Sequence, residues 1–137
     1  MPALYSDILL DHFRHPRNYG SLDAPDISNE QFNPLCGDRI RLELKLEQSR
    51  VSEARFKGDG CAISTAAASL LTELILNEDI AQLANFPDAR LISALESNIQ
   101  PARLQCALLP LLALREGLKS WTGLQDSQNL QDESCQS

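Results

Sequence analysis

The clearest regularity in the chain is an alternation of apolar and charged residues over residues 39–47. The apolar positions are Ile40, Leu42, Leu44 and Leu46. A period of two is typical of a β-strand with one buried and one solvated face. Residues 51–57 alternate again after a short link at 48–50, with Ala54 and Phe56 facing inward. The two runs predict an antiparallel hairpin.

Apolar residues outside this hairpin recur with helical spacing. The pattern predicts helices over residues 3–13 and 62–77, short helices over 77–83 and 88–95, and a final helix that begins at Pro101 and includes Leu118. Pro110 lies inside the final helix and is expected to kink it. Residues 22–35 are ambiguous, although Ile27 and Phe32 could belong to one short strand.

This order of a helix, then strands, then helices predicts the fold class. It indicates an α+β sandwich, in which helices cover one face of a small antiparallel sheet. We expect one domain over residues 1–121. Residues 122–137 are rich in Gln, Asp, Ser and Asn, and they predict a disordered polar tail.

Composition and charge exclude several classes of partner. The chain of 137 residues carries 12 Lys and Arg against 19 Asp and Glu, a net charge of −7. Nucleic acids and anionic membranes both select basic surfaces, so neither is expected as a main partner. The longest apolar run, residues 106–114, is too short to span a bilayer, and no secretory signal is expected. These features predict a cytoplasmic protein with reduced thiols.

Three of the four cysteines lie at boundaries between predicted elements. Cys36 precedes the alternating strand, Cys61 opens the second helix, and Cys106 lies in the first turns of the final helix. Asp38 follows Cys36 after one glycine, which allows both side chains to face one centre. Cys135 lies in the polar tail, and we expect no ligand role for it.

The chemistry of these residues leaves several interpretations open. A helix N-terminus stabilises a thiolate, which is both the nucleophile and the metal-binding form of Cys61. The alternatives are a buried structural cysteine at 61 and an ordinary turn cap at Asp38. Three thiolates and one carboxylate would hold zinc firmly or an iron–sulfur cluster loosely.

Four stretches of the chain carry a family resemblance. They are residues 5–18, 33–38 (Asn-Pro-Leu-Cys-Gly-Asp), 56–64 and 101–107. In this order they resemble the IscU/SufU, or NifU N-terminal-like, family of iron–sulfur cluster assembly scaffolds. The resemblance covers about residues 3–120 and implies a three-stranded sheet. It also implies a metal or cluster site of Cys36, Asp38, Cys61 and Cys106, with Cys61 and Cys106 as candidate sulfur acceptors.

The chain combines features of two branches of that family. IscU members have a histidine immediately before the third cysteine and a Leu-Pro-Pro-Val-Lys segment ahead of it. This chain has Gln105 and residues 97–103 at those places, which resemble SufU. The step of 45 residues from Cys61 to Cys106 is instead short, as in IscU. IscU proteins build [2Fe–2S] clusters and hand them over, whereas SufU proteins bind zinc and accept sulfur.

Two functions follow from the resemblance. The first is a scaffold that accepts persulfide sulfur from a cysteine desulfurase of the SufS or IscS kind, binds iron or a transient [2Fe–2S] cluster, and supplies apo-iron–sulfur proteins. The alternative is a zinc-binding sulfur acceptor that stimulates the desulfurase. Either is a scaffold or sulfur-transfer protein more than a turnover enzyme. A domain that has lost the chemistry is disfavoured, because all four site residues are present.

Two further residues near these motifs have competing interpretations. Arg103 lies one turn before Cys106, where it could steady a thiolate or form a solvent-exposed salt bridge. His12 lies on the apolar face of the first helix, and we expect it to be packed rather than to bind metal.

Overall fold

The computed structural model describes residues 5–35 and 37–136, with side chains described as far as residue 122. The strands are β1 (Ile27–Asn33), β2 (Asp38–Glu47) and β3 (Arg50–Asp59). The α-helices are α1 (Asp7–Arg14), α2 (Ala62–Leu74), α3 (Ile80–Leu83), α4 (Asp88–Ala94) and α5 (Leu104–Gln136), and a 3₁₀ turn at Pro101–Arg103 leads into α5.

The three strands form one antiparallel sheet in the order β1-β2-β3, which confirms the predicted fold class. A two-residue turn at Gln48 and Ser49 joins β2 to β3. Both turn residues have positive φ, of 53° and 66°. That pair of left-handed residues matches the right-handed twist of the flanking strands. The link is therefore shorter than the three residues that the sequence predicts.

The strand β1 occupies the stretch that was ambiguous in the sequence. It pairs with β2 along its whole length, from Ile27 opposite Leu44 to Asn33 opposite Asp38. Ile27 is buried, but the Phe32 side chain is 52% exposed, so the apolar pattern carries little strand signal. Pairing with β2 and packing against α5 stabilise this strand, and neither contact is visible in the local sequence pattern.

One residue of β2 departs from the predicted alternation. Glu43 is one of the charged residues that alternate with the apolar ones, but it is only 5% exposed. One of its oxygens accepts the Leu22 N–H at 2.8 Å, and the other pairs with the Arg41 guanidinium at 3.1 Å. The prediction that all the charged residues of this strand face solvent was wrong for Glu43, because the segment before β1 covers that part of the sheet.

The other face of the sheet packs against α2 and α5. Small residues allow this contact to be close, since Ala66, Ala67 and Ala68 on α2 have no exposed surface. On α5, a Cβ at Gly117 would lie 2.8 Å from the Ile27 side chain. The two helices therefore lie close to the sheet, and their N-terminal ends approach the end of the sheet where Asp38 begins β2.

His12 on α1 is buried, as predicted, and it contacts α2. Its Nδ1 lies 2.7 Å from the Ser69 hydroxyl, and its Nε2 lies 3.5 Å from a Glu73 carboxylate oxygen. Ser69 also accepts the Arg17 backbone N–H at 2.8 Å, so its own hydrogen is available to His12 Nδ1. These contacts favour the tautomer with the imidazole proton on Nε2, facing Glu73.

The predicted end of the domain, at residue 121, falls within α5. That helix extends to Gln136, beyond the boundary expected at residue 121. Side chains from residue 123 onward, including Cys135, lie outside the described residues, so the domain boundary and the tail stay predictions. Within the described part of the chain, no helix is long and apolar enough to cross a membrane.

The stability of the fold is expected to depend on pH through His12. Burial, reinforced by the charge of Arg17, lowers the pKa of His12, although Glu73 and Asp11 oppose the shift. The unfolded state therefore binds the proton more readily, so the free energy of unfolding falls as pH drops below about 6.5. Urea denaturation at a series of pH values measures this slope.

His12→Asn should flatten that slope, whereas His15→Asn, at an exposed histidine just after α1, should leave it in place. Equal slopes in the wild type and in His12→Asn would contradict the role given to His12.

Candidate metal centre

Three of the four predicted ligands meet at one end of the sheet. The ligand atoms of Asp38, Cys61 and Cys106 all lie within 4.8 Å of one another, although these residues come from β2, the start of α2 and α5. The fourth predicted ligand, Cys36, lies outside the described residues, between Leu35 and Gly37. Cys61 and Cys106 are thiols that are not joined in a disulfide.

Asp38 is the first residue of β2 and is only 3% exposed. Its Oδ1 accepts the backbone N–H of Cys61 at 3.0 Å, while its Oδ2 lies 3.5 Å from the Cys61 sulfur. The hydrogen bond fixes the orientation of the carboxylate, because one oxygen is held by the backbone and the other faces the thiol. Asp38 therefore does more than cap a turn, because one of its oxygens also faces the Cys61 thiol.

Cys61 occupies the N-cap position of α2, with an extended backbone (φ −71°, ψ 174°). Its side chain is partly exposed, and its sulfur lies at the positive end of the helix dipole. The sulfur also lies 3.7 Å from the Ser64 hydroxyl, one turn along α2. No role is predicted for Ser64 from the sequence, although its place three residues after Cys61, at the start of a predicted helix, is the signal that could have located it.

Cys106 lies in the first turn of α5 and is 2% exposed. The Arg103 guanidinium hydrogen-bonds its thiol and is attracted to the Cys61 sulfur, and together these raise the pKa of Arg103. This direction favours the interpretation in which Arg103 steadies sulfur, and that role stays a prediction. The centre therefore combines one carboxylate, two thiols and a neighbouring cation.

Gly60 allows the parts of the centre to approach one another. A Cβ built at this position would lie 2.2 Å from the Ser64 Oγ and 3.7 Å from the Asp38 carboxyl carbon. The first distance is far inside van der Waals contact, so a side chain at this position would have to displace the buried Ser64 hydroxyl.

The spacing of the donor atoms fits a single metal ion. A tetrahedral zinc, with bonds of about 2.3 Å to sulfur and about 2.1 Å to oxygen, places its donor atoms about 3.6–3.8 Å apart. The observed limit of 4.8 Å therefore requires only small side-chain adjustments. In a two-iron cluster with two protein ligands on each iron, one of the three donors would have to reach the second iron. Thiolate and carboxylate donors together suit zinc or iron.

Comparisons with known proteins show which family the chain resembles. A family model for the NifU-like N-terminal domain matches residues 4–128. The chain is 36% identical to the zinc-dependent sulfurtransferase SufU of Bacillus subtilis over 90% of this chain and 95% of that protein. It is also 36% identical to the iron–sulfur cluster assembly scaffold protein IscU of Thermotoga maritima, over 85% of this chain and 93% of that protein.

Solved structures show the same fold. The N-terminal part of a nitrogen-fixing NifU-like protein from Brucella abortus matches with a TM-score of 0.72 at 17% identity, over 88% of this chain and 95% of that one. A candidate scaffold for the SUF system from Fervidobacterium islandicum AW-1 matches with a TM-score of 0.70 at 24% identity, over 84% and 96%. At these identities the likeness concerns the fold alone.

Gly60→Ala is expected to destabilise the protein by about 1–3 kcal/mol, because the new methyl group overlaps the Ser64 hydroxyl. The double variant Gly60→Ala with Ser64→Ala removes the overlapping atom and is expected to recover most of the loss. The midpoint of urea denaturation measures both effects. A double variant that is no more stable than Gly60→Ala would show that the contact with Ser64 is not the cause.

Proposed function

This chain belongs to the NifU-like N-terminal domain family of iron–sulfur cluster assembly scaffolds, and we propose that it serves there as a zinc-dependent sulfur acceptor. Cys36, Asp38, Cys61 and Cys106 would hold the zinc ion. The observation that carries this proposal is the grouping of three donor atoms within 4.8 Å, from which small side-chain adjustments would bring them onto one ion. The sulfur donor would be a cytoplasmic cysteine desulfurase.

Zinc at this centre would keep the cysteines as thiolates, the form that both binds metal and attacks sulfur. The protein contributes the orientation of the ligands. The Cys61 N–H holds the Asp38 carboxylate, and Arg103 places its charge beside Cys106 and near Cys61. These contacts join four separate elements, so the folded chain holds the donors in place before any partner arrives.

Sulfur transfer to this protein needs no external oxidant. A cysteine thiolate attacks the terminal sulfur of the donor persulfide, the sulfur–sulfur bond of the donor breaks, and the donor leaves as a thiolate. The acceptor then carries the new persulfide, together with its proton. Of the two candidate acceptors, Cys61 is partly exposed whereas Cys106 is 2% exposed. Access therefore favours Cys61, with Cys106 remaining as a buried ligand.

A second function is favoured by a separate observation. The Cys61–Cys106 step of 45 residues resembles IscU, and the Thermotoga IscU relative aligns over 85% of this chain. As an IscU-like scaffold, the protein would assemble a [2Fe–2S] cluster from iron and persulfide sulfur and pass it to apo-proteins. Asp38 would then be the weakest ligand, since a carboxylate holds such iron less tightly than a thiolate.

Metal content separates these two functions. Protein purified without an affinity tag or chelator is expected to hold about one zinc ion per chain. Asp38→Asn keeps the volume of the side chain but removes its negative charge, and it should weaken zinc binding by at least about tenfold in chelator competition. Asp23→Asn, at an exposed loop residue, is the matched control and should bind as the wild type does. A visible iron–sulfur chromophore in place of zinc would favour the scaffold.

Transfer of sulfur can be followed at each cysteine separately. Trypsin places Cys36, Cys61, Cys106 and Cys135 on four different peptides, residues 18–39, 58–90, 104–115 and 120–137. After incubation with a cysteine desulfurase and cysteine, alkylation and mass spectrometry should show the extra sulfur on peptide 58–90. Cys61→Ser should abolish the stimulation of the desulfurase, whereas Cys135→Ser should not.

The same experiment can contradict either the choice of Cys61 as the acceptor or the proposed function itself. Sulfur on peptide 18–39 would keep the function and move the acceptor to Cys36. Sulfur found on no peptide, or on the Cys135 peptide alone, would rule out a sulfur acceptor built on this centre.

A further inference from the structure

Ser64 is a fully buried serine with its hydroxyl beside the Cys61 sulfur. The hydroxyl donates to the Cys61 carbonyl at 3.1 Å. That carbonyl already accepts the backbone N–H of Thr65 at 3.0 Å, the first hydrogen bond of α2. The carbonyl therefore stays satisfied if the Ser64 hydrogen turns elsewhere.

The Ser64 oxygen lies close to both Gly60 and the Cys61 sulfur. It uses space that the absent side chain of Gly60 leaves open, since a Cβ there would come within 2.2 Å of it. The oxygen lies 3.7 Å from the Cys61 sulfur, and its hydrogen can rotate about the Cβ–Oγ bond.

The hydrogen-bonding requirements of Cys61 change when it binds a metal ion. As a thiol it donates its one hydrogen, toward the Asp38 carboxylate at 3.5 Å or the Ser64 oxygen at 3.7 Å. As a bound thiolate it can only accept. The Asp38 carboxylate has no hydrogen to give, whereas the Ser64 hydroxyl does.

On the basis of the proposed function, we propose that Ser64 is a positioning residue that donates its hydroxyl hydrogen to the metal-bound Cys61 thiolate. The hydroxyl turns from the Cys61 carbonyl to the sulfur when the metal binds, and the carbonyl keeps its bond from Thr65. A hydrogen bond of this kind withdraws charge from the sulfur and fixes its direction, as outer contacts of metal ligands do.

Cobalt(II) substitution provides a readout that activity does not. Co²⁺ bound by thiolates absorbs in the near ultraviolet through sulfur-to-metal charge transfer, and a hydrogen bond to the sulfur raises the energy of that transition. Ser64→Ala should therefore move the band to longer wavelength. It should also weaken Co²⁺ binding by about tenfold in chelator competition.

Two further variants separate this role from general effects on the helix. Ser69→Ala removes another fully buried serine of α2, one that contacts His12 rather than the centre, and it should leave the band unchanged. Ser64→Thr keeps the hydroxyl and should restore the wild-type band position. It also provides the comparison if Ser64→Ala folds poorly, which far-ultraviolet circular dichroism would show.

The outcomes of this experiment are distinct. A wild-type protein without a thiolate-to-cobalt band would overturn the proposed metal centre, and this inference with it. A wild-type band that is identical in position in Ser64→Ala would overturn the role of Ser64 alone. A Ser64→Thr band that matches Ser64→Ala instead of the wild type would do the same.

Discussion

A carboxylate buried at the start of a strand needs donors from another element, and Asp38 finds them at the start of α2. Its oxygens face the backbone N–H and the sulfur of Cys61, 23 positions along the chain. Leaving this carboxylate buried without such partners would cost several kcal/mol, so the contact ties the start of β2 to the start of α2. The geometry of the centre depends on this link, because it sets where Cys61 lies relative to Asp38.

The two described thiols of the centre have different environments. Cys106 is enclosed on α5 beside Arg103, whereas Cys61 keeps some exposure at the helix N-terminus. An enclosed ligand holds an ion in place, and an accessible one can meet the sulfur of a partner. The close packing of the Ala-rich α2 against the sheet keeps this difference constant, since neither helix can shift without losing core contacts.

Much of the fold and of the centre could be predicted from the sequence. The features that the sequence did not predict have physical causes. The alternation over residues 39–47 predicts β2, and the position of Cys61 after Gly60 predicts its place at a helix start. The strand β1 and the burial of Glu43 depend on contacts with distant residues, which local periodicity does not contain. Cys36 and the segment after residue 122 lie outside the described side chains, so the predictions for them stay predictions.

X-ray absorption at the zinc edge of the purified protein tests the central claim most directly, because it reads the donor atoms themselves. A centre built from Cys36, Asp38, Cys61 and Cys106 predicts one zinc with three sulfur atoms at about 2.3 Å and one oxygen at about 2.0–2.2 Å. A zinc first shell without sulfur, or purified protein that shows an iron edge and no zinc edge, would contradict a single zinc ion held by these residues.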